Sequence, residues 1–126
     1  MKKVNWEECE PYLVHGDAIE RSLIGIEGFQ KYSPVSPKLT VSKKILFFNY
    51  AILSPGKRLE KHFGNQEEIY YIIKGNGIFY CDQEKASIKS GDAVYIPIGL
   101  EHGLDNNGND DIEYLVLGTT PDNYNG

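Results

Sequence analysis

Apolar and polar residues alternate along this chain in short runs, and turn residues break the runs at fairly regular intervals. Ile45 to Leu53 is the most apolar stretch, rich in aromatic and β-branched side chains, and Ser54-Pro55-Gly56 stops it. It is predicted to be a strand. Glu68 to Ile73 predicts another. Its period of two places Glu68, Tyr70 and Ile72 on one face and Ile69, Tyr71 and Ile73 on the other. Lys74-Gly75-Asn76-Gly77 reads as a tight turn, after which Ile78 to Cys81 returns antiparallel to the preceding strand. Shorter strands are expected over Ala86 to Lys89, Ala93 to Ile96, near Glu101 to Leu104, and over Ile112 to Leu117, separated by Gly-, Asp-, Asn- and Pro-bearing turns.

The segment before Lys44 has a weaker pattern. Trp6 to Leu13 is polar with scattered aromatics and admits one helical turn ending near Pro11. Asp17 and Glu20 have capping-box spacing for a helix from Ala18, yet Ile19 to Ile24 reads better as a strand. Ser33-Pro34-Val35-Ser36-Pro37 is a loop, because two prolines fix φ and remove donors. Thr119 to Gly126 is a loose tail. Short strands with frequent turns and no long helix indicate an all-β sandwich or barrel and disfavour alternating βαβ folds.

Composition narrows the function classes. The 126 residues suit one domain, expected to comprise an N-terminal extension over 1–43, a barrel core over 44–118 and a tail over 119–126. A net charge of −5 argues against binding nucleic acid or an anionic membrane. No apolar run is long enough to span a bilayer, and the Lys-bearing start lacks the apolar core of a signal peptide. Cys9 and Cys81 stand far apart with no CxxC, which fits a reduced protein in the cytoplasm.

Chemistry concentrates at His62, Glu68 and His102, which stand near turns of the β region. Two imidazoles and a carboxylate suit Fe(II), Mn(II), Zn(II), Ni(II) or Co(II). Five residues separate Gly56 from His62, and six separate Glu68 from Gly75. Gly91, Pro97, Gly99, His102 and Asn106 follow with a second fixed spacing. This pattern resembles the cupin superfamily over about residues 44–118, with the second motif complete and the first altered. Where the family carries the second histidine of its His-x-His, this chain has Gly64. The resemblance implies a double-stranded β-helix, a jelly-roll barrel, and a metal held by His62, Glu68 and His102. Gln66 is a poorer oxygen ligand that could compensate for Gly64, whereas Glu67 has the opposite strand parity to Glu68.

Three readings of function follow. The first is a metal-dependent enzyme of dioxygenase, isomerase, decarboxylase or lyase type on a small polar metabolite, because the ligand set leaves coordination positions open. The second is a metal-free module that binds a sugar or other metabolite, the site having been weakened at Gly64. The third is metal-independent isomerisation, with His62 or His102 moving a proton. The expected partners are a small molecule and a second copy of the chain, because a barrel of this size leaves an edge that residues 1–39 could cover. His15 falls outside both motifs and reads as a structural or surface histidine. Tyr50, Tyr70 and Tyr95 read as strand aromatics before pocket residues. No Ser–His–Asp pattern, phosphate loop or calcium loop is complete.

Overall fold

A computed structural model describes residues 1–29 and 35–120. Part of the expected loop at Ser33–Pro37 and most of the expected tail therefore lie outside the described residues. A single turn of 3-10 helix at Trp6–Glu8 is capped by Asn5, whose side chain accepts from the Glu7 N–H. Eleven strands follow among the described residues: β1 Pro11–Val14, β2 Ala18–Ile26, β3 Leu39–Ser42, β4 Ile45–Leu53, β5 Arg58–His62, β6 Glu68–Lys74, β7 Asn76–Cys81, β8 Glu84–Lys89, β9 Ala93–Ile96, β10 His102–Asp105 and β11 Ile112–Thr119.

The strands form two sheets. The larger runs β1-β2-β4-β11-β6-β9, with β3 beside β2, and the smaller runs β5-β10-β7-β8. All pairings are antiparallel except β2 with β3. Apolar side chains from both inner faces meet in one core that includes Leu53, Leu59, Ile72, Phe79, Leu104, Ile112 and Tyr114. The alternation along β6 falls as the sequence indicates: Glu68, Tyr70 and Ile72 are buried, while Ile69, Tyr71 and Ile73 face out.

The sequence and the structure part company at Gly75. The expected hairpin between residues 68–73 and 78–81 does not form. Strand β6 pairs with β11 and β9 in the larger sheet, and β7 pairs with β10 and β8 in the smaller one. The chain crosses between sheets at Gly75, which has φ +90°, and a Cβ there would lie 2.4 Å from the Asp111 carbonyl oxygen. Positive φ and lack of a side chain are thus both needed, but for a crossing and not for a two-residue turn.

Strands β1, β3 and β5 were not apparent from the sequence, and residues 18–26 form a strand with no helix. On β2 the inward parity is Ala18, Glu20 and Ser22, whereas Ile19 is exposed. The N-terminal segment does cover a sheet edge, but within its own chain: β2 lies antiparallel on β4. Cys9 and Cys81 are free thiols. No helix among the described residues is long and apolar enough to cross a membrane.

Candidate metal centre

His62 ends β5 and His102 begins β10, and the two are direct cross-strand partners. That register places their rings side by side, with centroids 4.3 Å apart. Glu68 comes from the other sheet, as the first residue of β6. The packing of the two sheets closes the cluster: one potential ligand atom from each of His62, Glu68 and His102 lies within 4.8 Å of the others. Residue type and the resemblance to the cupin motifs pointed to these three residues, and the fold brings all three together.

The orientation of the donors suits ligation. His62 Nδ1 lies 2.8 Å from the Glu60 carbonyl oxygen, and His102 Nδ1 lies 3.0 Å from that of Leu100. A carbonyl only accepts, so each Nδ1 carries the proton and each Nε2 keeps its lone pair. The His102 ring is also fixed by its neighbours, Tyr70 meeting it edge-on and Phe79 lying parallel to it. His102 is 1% exposed, and its Nε2 has no hydrogen-bond partner among the described residues. Glu68 Oε1 stands 3.5 Å away, beyond a normal hydrogen bond. An orphaned buried lone pair aimed at a carboxylate and a second imidazole fits a divalent cation between them.

The electrostatics set the charge states of His62 and Glu68. Burial lowers the His62 pKa to about 4, the neighbouring His15 and His102 adding to the effect, so the ring is neutral near pH 7. Burial works to raise Glu68, but His102 and His62 beside it outweigh that and hold its carboxyl below the ordinary value. A neutral imidazole and an ionised carboxylate are the forms that bind metal.

Gly64 has its own geometry. The Gln66 side chain folds over it, so a Cβ at position 64 would lie 2.7 Å from Gln66 Nε2. The same amide donates to Glu68 Oε2 at 2.9 Å. Gln66 thus occupies the space beside Gly64 and steadies the carboxylate from the side. Glu67 is exposed, as its parity requires.

His62, Glu68, Gly64 and Gln66 open onto a cavity of about 470 Å³, with His102 buried behind them. Its apolar wall includes Phe47, Phe63 and Val116, and its polar wall Glu20, Ser22 and Asn49. Tyr70 is a buried core residue that also lines this space, whereas Tyr95 is exposed and Tyr50 stacks on Trp6 away from it. Asn106, the last residue of the second motif, holds the fold together instead. Its amide donates to the Leu53 and Asp110 carbonyls and accepts from the Gly108 N–H.

Two residues of the cavity read differently from the sequence, His15 as a structural or surface histidine and Glu20 as part of a capping box. His15 belongs to the site: its ring stacks on His62 with centroids 3.4 Å apart and planes 7° from parallel. The turn that carries it is stitched to β5, Glu60 N–H donating to His15 O and Asp17 N–H to Arg58 O. His15 has φ +46°, uncommon for a residue other than glycine. No local signal marks that contact, because it depends on a turn from one sheet docking on a strand of the other. Glu20 is the second. Its sequence signal was capping-box spacing from Asp17, and the helix that spacing would cap does not form.

Comparison with known proteins gives a consistent result. The sequence profile of the cupin domain matches residues 49–118. An oxalate-binding protein of Thermotoga maritima is 34% identical over 95 residues, 74% of this chain and 78% of that protein. An uncharacterized protein of Methanocaldococcus jannaschii is 31% identical over 121 residues, 94% of this chain and 86% of that one. The crystal structure of a predicted oxalate decarboxylase from Thermotoga maritima superposes with a TM-score of 0.74 at 25% identity, covering 94% of this chain and 98% of that one.

Proposed function

The chain belongs to the cupin family, and from that premise we propose that it holds one divalent transition metal through His62, Glu68 and His102 and acts as an enzyme on a small carboxylate-bearing metabolite. The observation that carries this reading is the buried, unpartnered Nε2 of His102, facing Glu68 and His62. A lone pair so placed costs stability unless a cation or donor meets it. The metal would supply a Lewis acid that holds and polarises a substrate oxygen.

The remaining roles belong to the chain itself. The carbonyls of Glu60 and Leu100 fix the tautomers of His62 and His102. The Gln66 amide holds one oxygen of Glu68 and leaves the other facing His102. The phenylalanines of the cavity offer an apolar seat beside the metal. A carboxylate as the ligating group is supported by the oxalate-binding relative. A cavity of about 470 Å³ is far larger than a two-carbon acid needs. That leaves room for a dicarboxylate with a larger, partly apolar body, of which oxalate is the smallest probe.

Gly64 favours one competing account, a metal-free metabolite-binding pocket, since it removes a ligand that the family usually has. Metal analysis separates the two. Apo-protein titrated with Fe(II), Mn(II) and Zn(II) should take up one equivalent. No uptake at millimolar metal, with metabolite binding unchanged in His62→Ala, would leave the metal-free pocket as the better account.

A further inference from the structure

The cavity that holds the ligand cluster contains a second buried carboxyl that the ligand set does not use. Glu20, on β2, is 6% exposed and lines the same space as His62 and Glu68. Its Oε1 accepts from Asn49 Nδ2 at 2.9 Å. Asn49 is itself buried, and its Oδ1 has no hydrogen-bond partner among the described residues. An unpartnered amide oxygen beside a buried carboxyl, both opening on a cavity, is an arrangement to which a ligand can be added.

No cation compensates Glu20. Among the described residues lining the cavity there is no lysine or arginine. Arg21, the next residue, turns to the outer face, where it donates to the Cys9 carbonyl and lies over the Trp6 ring. Around Glu20, β1 contributes Tyr12, β6 contributes Glu68 and Tyr70, and β11 contributes Tyr114. Strand β4 offers only the neutral Asn49 and Ala51, and β3 carries no titratable residue. His15 and His62 complete the titratable lining of the cavity.

We propose that Glu20 is the proton acceptor of a carboxylate-receptor site: an acid anion arriving at the metal brings one proton onto Glu20, and the neutral carboxyl then donates a hydrogen bond to it. This rests on the metal-and-carboxylate reading above. The charge count gives the reason. A divalent metal with ionised Glu68 leaves a local charge of +1, and a dicarboxylate turns it to −1. An ionised Glu20 would make it −2 in a space without a basic side chain, which a low-dielectric site resists. Taking up one proton restores −1 and turns Glu20 from an acceptor into a donor. In the metal-free protein burial already pushes Glu20 up to about 7, and an acid anion bound beside it would act in the same direction.

The test uses the full chain loaded with Mn(II) and titrated calorimetrically with oxalate at pH 8, in buffers of low and high ionisation enthalpy. The expected result is a buffer-dependent enthalpy corresponding to uptake of about one proton per oxalate, with affinity falling up to about tenfold per pH unit at higher pH. Glu20→Gln, which keeps the shape and the Asn49 contact, should bind oxalate with a buffer-independent enthalpy and a flatter pH profile. The wild-type measurement stands alone should the variant fold poorly. Oxalate binding without proton uptake, or the same uptake in Glu20→Gln, would overturn the role of Glu20 and leave the metal-and-carboxylate reading standing. Mn(II)-loaded protein that does not bind oxalate would overturn the carboxylate reading and this proposal with it. A chain that takes up no Mn(II) would overturn the metal reading beneath both.

Discussion

Glutamine at position 20 should make the metal-free protein more stable than wild type at pH 8.5 and change it little at pH 5. The folded chain raises the Glu20 carboxyl from 4.5 to about 7, chiefly by burial. A raised acid binds its proton more tightly folded than unfolded. The stabilisation it brings is therefore complete below about pH 4.5 and is lost as pH rises through about 7. The shift of about 7 − 4.5 = 2.5 units corresponds to a ceiling of about 3.4 kcal/mol at about 1.36 kcal/mol per unit. Glu20 borders a cavity that water can enter, so ~2–3 kcal/mol is the working expectation. Glutamine cannot ionise and still offers Oε1 to Asn49, so it removes this pH dependence while keeping the hydrogen bond. Urea unfolding of both proteins in chelator at pH 5, 6, 7 and 8.5 gives the difference curve, in which the other titrating groups largely cancel. The variant should gain on the wild type by ~2–3 kcal/mol between the first and last pH. A difference constant to within about 0.5 kcal/mol would refute the buried-carboxyl argument.

Other outcomes follow from the same geometry. His62→Ala should lower metal affinity more than about 100-fold, since loss of even an outer partner costs 10–100-fold, and equilibrium dialysis against Mn(II) checks it. Gly64→His alone meets the Gln66 amide, but Gly64→His with Gln66→Ala should bind Mn(II) more tightly than wild type; equal or weaker binding would show that position 64 cannot reach the metal. Gly75→Ala should cost more than about 3 kcal/mol in urea unfolding, because it combines φ +90° with backbone contact, whereas Gly91→Ala, at φ +95° in open space, should cost only about 1 kcal/mol. A homodimer would sediment at twice the 14.2 kDa of the chain, and the outward Ile69, Tyr71, Ile73 and Tyr95 provide an apolar face for it; a mass near that of one chain would refute the dimer.

Much of the architecture is legible along the chain because the side-chain period of a strand is local. The parity of β6 follows from Glu68-Ile69-Tyr70-Tyr71-Ile72-Ile73 alone, and β9 falls on Ala93–Ile96 as expected. Harder to read are β3 and β5, where Leu-Thr-Val-Ser and Arg-Leu-Glu-Lys-His are short and largely polar. Their pairing partners make them strands, and those partners lie far away in sequence. The same limit explains the missed crossing at Gly75. A glycine pair between two apolar runs looks alike whether the chain folds back within one sheet or passes to another.

The sequence by itself determined the β class and most of the turn positions, because alternation and turn residues are written in neighbouring positions, and its resemblance to the cupin motifs marked the three ligand-type residues. The tertiary structure decided which faces meet. The His62–His102 register and the packing of β6 against the smaller sheet turn three separated residues into one cluster. It also decided the rest of the cavity. His15 reaches His62 through a turn docked on β5, and Glu20 turns inward while Ile19 turns out. Hydrophobic preference alone would have oriented β2 the other way. Pairing of β2 with β4 sets Glu20 opposite Ala51 and Ser22 opposite Asn49, committing the polar parity to the interior. A one-residue change of register would have moved it to the surface.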